Sequence, residues 1–147
     1  MTCEALNSLR SGWRAWTGTA AISTLDMRTG RERVVGRGLD AVWSPDGRQI
    51  VYDARGAVGS AALYVLDPRS HRARKVSTPG LTQAGTPVWS PDGRSLAFFG
   101  TASTARTFIQ PYGVWTVSVS GGRPHPVVAN AAPYLPVGQE ALAWADR

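Results

Sequence analysis

The chain has 147 residues, of which 43% are hydrophobic, and this is enough for one domain with a buried core. No stretch approaches the ~18 unbroken apolar residues of a membrane span, and residues 1–20 lack the apolar centre of a secretory signal. Cys3 is the only cysteine, which excludes an internal disulfide and a Cys-x-x-Cys metal site and leaves the cellular compartment unassigned.

The positive charge is carried almost entirely by arginine. The formal net charge is +6, and Lys75 is the only lysine. Arginine-heavy codon usage in a GC-rich genome is one explanation. An anionic partner is the other, because basic surfaces attract nucleic acid, acidic proteins or membranes.

In chain order, residues 1–19 are either a degraded start of a first structural unit or a disordered lead. Residues 11–16 are read as a decayed hairpin, and residues 1–9 as a short helix or a disordered segment. The first clear unit covers about residues 20–36. Its β-rich runs at 21–26 and 32–35 are joined by a turn around Thr29 and Gly30.

The next two units carry the same phrase, Trp-Ser-Pro-Asp-Gly-Arg, at residues 43–48 and 89–94, which are 46 positions apart. In the unit at about 40–77, later strands are predicted at 62–67 and 73–77. In the unit at about 86–128, they are predicted at 114–119 and 125–128. A fourth unit is predicted to open at residue 141 with an inner strand at 141–145.

The repeated phrase has the chemistry of a tight hairpin turn. Proline fixes φ for the second position of a type I turn, aspartate tolerates the next position, and glycine takes the positive φ that closes the turn. The aspartates are therefore interpreted as turn formers rather than calcium ligands, and the recurrent tryptophans as packing between units. The residues given structural roles are Trp43, Pro45, Asp46, Gly47, Trp89, Pro91, Asp92, Gly93 and Trp144.

A repeat of this length with four strands per unit predicts an all-β propeller of four-stranded antiparallel blades, about three of them present. Over about residues 20–146 the repeats resemble the WD40-like (PD40) repeats of TolB-type propellers. The resemblance implies a scaffold of about six blades around a central channel. Some members of that family are periplasmic and contact other envelope proteins, and others gate prolyl-oligopeptidase-like proteases or form extracellular parts of bacterial sensors.

Catalytic, metal and cofactor sites are not predicted. The serine-hydrolase motif Gly-x-Ser-x-Gly is absent from the sequence. His71 and His125 are placed in outer-hairpin turns, where we interpret them as exposed turn residues rather than ligands or a general base.

The meander order sorts the turns of each blade onto two faces. The face with the first and third turns collects ten of the sixteen basic residues. The candidate basic face is represented by Arg48, Arg69, Arg72, Arg74, Lys75, Arg94 and Arg123. The opposite face is the expected channel mouth, with candidate binding residues Asp40, Asp53, Arg55, Thr86, Gln139 and Glu140.

These observations favour a non-enzymatic binding module of the TolB-like class. The alternatives are the substrate-gating propeller of a split or truncated prolyl-oligopeptidase-like hydrolase, and a truncated gene product without an independent function. A protein partner is expected, with an acidic surface as one candidate, and specific nucleic-acid recognition is not expected. Residues 141–145 of one copy could complete the first unit of another, giving a homodimeric six-bladed ring.

Overall fold

In the computed structural model, the described residues are 3–8, 20–56, 60–102, 112–132 and 142–144, with 3–8 and 130–132 described as backbone only. They form eleven strands and no helix. The strands are β1 (Cys3–Ser8), β2 (Ala21–Asp26), β3 (Arg31–Arg37), β4 (Leu39–Trp43), β5 (Ile50–Arg55), β6 (Ala61–Asp67), β7 (Arg72–Lys75), β8 (Gln83–Trp89), β9 (Ser95–Thr101), β10 (Tyr112–Ser118) and β11 (His125–Ala132). Among these described residues there is no helix that could cross a bilayer.

The strands group into three antiparallel meanders, which we call blades 1 to 3. Blade 1 has the strand order β1-β2-β3, blade 2 has β4-β5-β6-β7, and blade 3 has β8-β9-β10-β11. A single parallel bridge between Ala61 and Gln83 joins blades 2 and 3 at one edge. The predicted all-β partial propeller of about three blades is therefore confirmed.

Alternation along the strands of blade 2 explains how the blades pack. In β5, Ile50 and Tyr52 face blade 1, whereas Val51 faces blade 3, because successive side chains of a strand point to opposite faces. The core between blades 1 and 2 is formed by Ile22, Val35, Ile50, Tyr52 and Leu66. The core between blades 2 and 3 is formed by Val51, Leu63, Val65, Val76, Ala84, Trp89, Leu96, Phe98 and Val117.

Blade 1 begins with a strand at Cys3–Ser8, where the sequence left open a degraded start of the first unit, a short helix or a disordered lead. β1 pairs antiparallel with β2, with Cys3 opposite Asp26 and Ser8 opposite Ala21. Its sequence, Cys-Glu-Ala-Leu-Asn-Ser, has little intrinsic strand preference, so pairing with β2 decides its conformation. By this pairing β1 is the equivalent of β5 in blade 2. Residues 11–16, read as a decayed hairpin, lie outside the described residues.

The inner strand expected at 141–145 is not present in its described part. Residues 142–144 lie outside any strand, and the Trp144 side chain is 40% exposed. Trp89, which the repeat aligns with it, is only 7% exposed. An inner strand gains its hydrogen bonds from the next strand of its own blade, and no described strand lies beside residues 142–144.

Candidate functional site

The inner strands of blades 2 and 3 carry the same backbone irregularity. The pairing register shifts between Leu39 and Val42 in β4 and between Gly85 and Val88 in β8. Within these bulges Asp40 has φ 49° and Thr86 has φ 48°. A positive φ is costly for side chains other than glycine, and such strain is concentrated at functional sites. The repeat therefore places a strained polar residue at the same end of each inner strand.

Asp53 connects the two bulges. It follows Tyr52 in β5, so alternation turns its side chain toward blade 3, and it is only 6% exposed. The backbone N–H of Thr86 donates a hydrogen bond to the Asp53 carboxyl. The Asp40 and Asp53 carboxyl groups lie close enough for each to influence the ionisation of the other. Two neighbouring blades thus converge on one buried carboxyl.

Burial and like charge keep this carboxyl pair partly protonated. Burial in the blade interface, with the adjacent Asp40 charge, raises the pKa of Asp53 to about 7. Burial also raises the pKa of Asp40. The Thr86 N–H and the Arg55 guanidinium act against the rise in the pKa of Asp53 without cancelling it. Two close carboxylates cannot both ionise without repulsion, so the pair favours the state that retains one proton.

Two side-chain oxygens around the Asp53 carboxyl lack hydrogen-bond partners. They are Asp53 Oδ1 and Thr86 Oγ1, and both atoms are buried. Native proteins pair nearly all buried polar atoms, and an unpaired one costs ~1–3 kcal/mol. The cluster therefore presents acceptor capacity that its own side chains leave unused.

Arg55, Tyr112 and Gln83 complete the polar surroundings. The exposed Arg55 charge acts on Asp40, Asp53 and Tyr112. Tyr112, at the start of β10, is 6% exposed and its hydroxyl donates to Gln83 Oε1 at the start of β8. Burial raises the pKa of the Tyr112 phenol. Sequence reasoning missed Tyr112 and Gln83, although both begin strands at the end of the blade that it assigned to the channel mouth.

We call Asp40, Asp53, Arg55 and Thr86 the channel-mouth cluster. The structure brings together these four of the six predicted channel-mouth residues, whereas Gln139 and Glu140 lie outside the described residues. Within the described part of the chain, no group of three or more His, Cys, Asp or Glu side chains could hold a metal ion. The carboxyl pair, the Thr86 hydroxyl and the Arg55 guanidinium can take part in hydrogen bonding and charge recognition.

The repeated turns lie at the other end of the blades. Ser44 Oγ donates to Asp46 Oδ1 over 2.6 Å and accepts from the Gln49 N–H over 2.9 Å, and Asp46 Oδ1 also accepts from the Arg48 N–H. Ser90, Asp92, Arg94 and Ser95 repeat these bonds. Hydrogen bonds from serine lower the pKa of both aspartates, which are thus ionised turn formers. A groove of about 340 Å³ between the turns is lined by Ser44, Pro45, Asp46, Gln49, Trp89, Pro91, Asp92 and Gly93.

The predicted basic face lies at this end and along the outer strand β7. All four side chains of β7, residues 72–75, are exposed, and Arg74 Nη1 donates to the Val119 carbonyl over 2.8 Å. Arg48, Arg69, Arg94 and Arg123 are also exposed. The same turns hold Asp26, Asp46, Asp67 and Asp92, whose pKa values are all lowered by local hydrogen bonds. These ionised aspartates lower the positive potential that the sequence predicted for the basic face.

Tryptophan links the inner strands of neighbouring blades. Trp89 Nε1 donates to the Val42 carbonyl of blade 2 over 3.1 Å. Trp43, at the same position one repeat earlier, has a buried Nε1 atom with no partner. Trp115 is half-buried against the core between blades 2 and 3 and donates to the Gly100 carbonyl. His71 lies in the β6–β7 turn, as predicted, whereas His125 is the first residue of β11 and not a turn residue. Both side chains are exposed.

Comparison with solved structures places this arrangement among propellers. TolB from Acinetobacter baumannii aligns with a TM-score of 0.63 at 19% identity, covering 78% of this chain and 28% of that one. A putative TolB from Agrobacterium tumefaciens aligns with a TM-score of 0.61 at 18% identity, covering 76% and 42%. A prolyl endopeptidase structure aligns with a TM-score of 0.53 at 20% identity, covering 78% and 20%.

The chain thus spans less than half the length of these structures, and the likeness shows the fold alone. No protein-family model matches the sequence. No curated protein matches it either.

Proposed function

We propose that the chain is a non-enzymatic binding module of the TolB-like class, whose channel-mouth cluster binds a protein segment that presents hydrogen-bond donors. Support comes first from the fold, which is that of TolB-like propellers. A propeller is a scaffold that hosts many functions, so the proposal depends on the site and not on the fold.

The observation that carries the proposal is the pair of unsatisfied oxygens, Asp53 Oδ1 and Thr86 Oγ1, in a strained inter-blade junction. A donor group that enters the junction from its accessible side would give these atoms a partner and recover part of the free energy lost by their burial. Asp40 and Arg55 lie at the more accessible side of the cluster, with Arg55 exposed and Asp40 half-buried. A ligand with lysine or arginine side chains would also replace the proton that the carboxyl pair retains.

A selection from a library of short random peptides tests this directly. Peptides enriched on the wild-type protein are expected to be rich in lysine or arginine. Their affinity should fall about tenfold or more, ~1.4 kcal/mol, in the double variant Asp40→Asn/Asp53→Asn. The matched control is Asp46→Asn, which changes the same chemistry in the turn at the opposite end of blade 2 and should leave peptide affinity unchanged.

Two results would contradict the proposal. In one, the enriched peptides bind the double variant as tightly as they bind the wild type. In the other, the purified chain hydrolyses peptide, ester or glycoside substrates at an enzyme-like rate, and a variant of the channel-mouth cluster abolishes that activity.

A second candidate is the gating propeller of a hydrolase whose catalytic domain is separate. The alignment with prolyl endopeptidase supports it, because that structure combines the same fold with a protease. A Gly-x-Ser-x-Gly hydrolase encoded beside this chain would favour it, provided that adding the chain changes the size of the peptides that the hydrolase cleaves. A neighbouring hydrolase whose cleavage pattern is indifferent to the chain would argue against it.

A further inference from the structure

Blade 1 has one strand fewer than its neighbours in the described part of the chain. Blades 2 and 3 have four strands each, whereas the described part of blade 1 has three, with β1 at the open end of its sheet. β1 contacts β4 as β5 contacts β8, so β1 corresponds to the second strand of a blade. In the described residues, the position beside β1 that an inner strand takes in the other blades is unfilled.

The indole of Trp43 gives a second indication that blade 1 lacks an inner strand among the described residues. In the equivalent junction between blades 2 and 3, Trp89 Nε1 donates to the carbonyl of Val42 on the preceding inner strand. The Nε1 atom of Trp43 is buried without a partner, although Trp43 occupies the same repeat position. By analogy with the Trp89–Val42 bond, the acceptor of Trp43 Nε1 would be a carbonyl on the inner strand of blade 1.

Residues 142–144 have the sequence of such a strand. Leu142-Ala143-Trp144 aligns with Ala41-Val42-Trp43, which places the Ala143 carbonyl where Val42 supplies the acceptor. The segment lies outside any strand, with Ala143 and Trp144 exposed. It is thus available to pair, unlike Val88 and Trp89, which are already part of β8.

We propose that residues 142–144 of a second copy of the chain form the inner strand of blade 1, with the Ala143 carbonyl accepting a hydrogen bond from Trp43 Nε1. A second copy fits better than the same copy because residues 142–144 follow blade 3 in the chain, and the strand contacts place blade 2 between blades 1 and 3. A twofold exchange satisfies both copies at once and adds antiparallel pairing beside β1. It gives a structural basis for the homodimer expected from the sequence.

The test measures mass by light scattering, and dissociation by sedimentation over a concentration series. The wild type should form a dimer of twice the 15.7 kDa chain mass. Trp43→Phe removes the donor in both junctions and should weaken the dimer roughly tenfold or more. The Trp43→Phe monomer should lose some stability, because Trp43 packs against the core between blades 1 and 2. It should lose less than the Trp89→Phe monomer, which also loses a hydrogen bond.

Two further variants separate pairing from folding. Ala143→Pro should abolish the dimer, because proline has no backbone N–H to donate to the neighbouring strand. The monomer should stay folded, because Ala143 is exposed and outside any strand. Trp89→Phe is the matched control: it removes the Trp89–Val42 bond within each copy, so it should lower thermal stability without selectively weakening the dimer. A wild type that is monomeric at every concentration would overturn the proposal. So would a dimer that Trp43→Phe and Ala143→Pro leave intact. A Trp43→Phe monomer that loses as much stability as the Trp89→Phe monomer would also overturn it, because the Trp43 N–H would then be paired within one copy.

Discussion

At the scale of single residues, the repeated turn shows why the phrase contains serine as well as proline, aspartate and glycine. The roles of Pro45, Asp46 and Gly47 follow from turn chemistry alone, and Gly47 has the expected positive φ of 66°. The role of Ser44 does not follow from the sequence. Its buried hydroxyl links the carboxylate of Asp46 to the N–H of Gln49 across the hairpin, which only the folded turn brings together.

Replacing that hydroxyl should be costly. Ser44→Ala removes a bond to a charged carboxylate and leaves the Gln49 N–H without its side-chain acceptor, so the free energy of unfolding should fall by about 1–3 kcal/mol. Denaturant unfolding followed by circular dichroism measures the change. Ser70→Ala is the control, because the Ser70 hydroxyl also bonds an aspartate, Asp67, but in an exposed turn. Equal losses in the two variants would show that burial of the hydroxyl is not what matters.

Asp53 should make stability depend on pH. Its pKa is raised from 3.8 to about 7 in the folded chain, chiefly by burial. The protonated carboxyl therefore contributes stability that is fully present below about pH 4. That stability is lost as the pH rises through about 7, because the unfolded chain ionises first. Asp53→Asn should remove this part of the dependence, so the melting temperature of the variant relative to wild type should rise from pH 4 to pH 8.

The companion variant Asp40→Asn helps to identify the cause. Without the Asp40 charge the pKa of Asp53 should fall, which shifts the loss of stability to lower pH. A difference in melting temperature between Asp53→Asn and wild type that stays constant from pH 4 to pH 8 would contradict the assignment.

At the scale of elements, the strands were largely predictable and their irregularities were not. The apolar runs expected at 62–67 and 125–128 correspond to β6 and β11, because alternation and turn residues are local signals. The sequence of β1 carries no such local signal. Its strand conformation depends on pairing with β2, which the sequence alone does not reveal. The positive φ of Asp40 and Thr86 was equally hidden, because the bulges arise from pairing with β5 and β9.

The basic side chains of the outer strand β7 have two possible roles, protection of the strand edge and attraction of an acidic partner. The four exposed side chains of β7, three of them basic, lie on an edge that pairs with β6 alone among the described strands. Charged edges prevent strands from joining other chains. The same charges could attract an acidic partner, with a range of ~8–10 Å set by salt screening. The ionised aspartates in the neighbouring turns limit that attraction.

Heparin chromatography distinguishes the two roles. Reversing Arg69, Arg72, Arg74 and Lys75 to glutamate should make the protein elute at clearly lower salt, because these charges are exposed and adjacent. Arg37→Glu, an exposed arginine at the end of β3, is the control and should shift elution much less. Retention that the fourfold variant leaves unchanged would show that β7 serves only to protect the edge.

At the scale of the whole molecule, the junctions between blades contain both the buried apolar cores and the proposed binding site. Each junction combines an apolar core with polar groups from neighbouring blades, as Trp89 with Val42 and Thr86 with Asp53 show. The sequence predicted six channel-mouth residues at one end, and the four that the structure describes lie together there. It could not predict that Asp53 is buried between blades with an unsatisfied oxygen, because this depends on the neighbouring blade.

The central claim is that ligands bind at this junction and not at the repeated turns. Chemical-shift mapping by NMR, with an enriched lysine- or arginine-containing peptide as the probe, tests it most directly. We expect the backbone amide signals of Asp40, Asp53 and Thr86 to shift in proportion to occupancy, while those of Arg48 and Arg94 in the turns stay in place. Shifts confined to the turns, with the junction amides unmoved at saturation, would contradict the account.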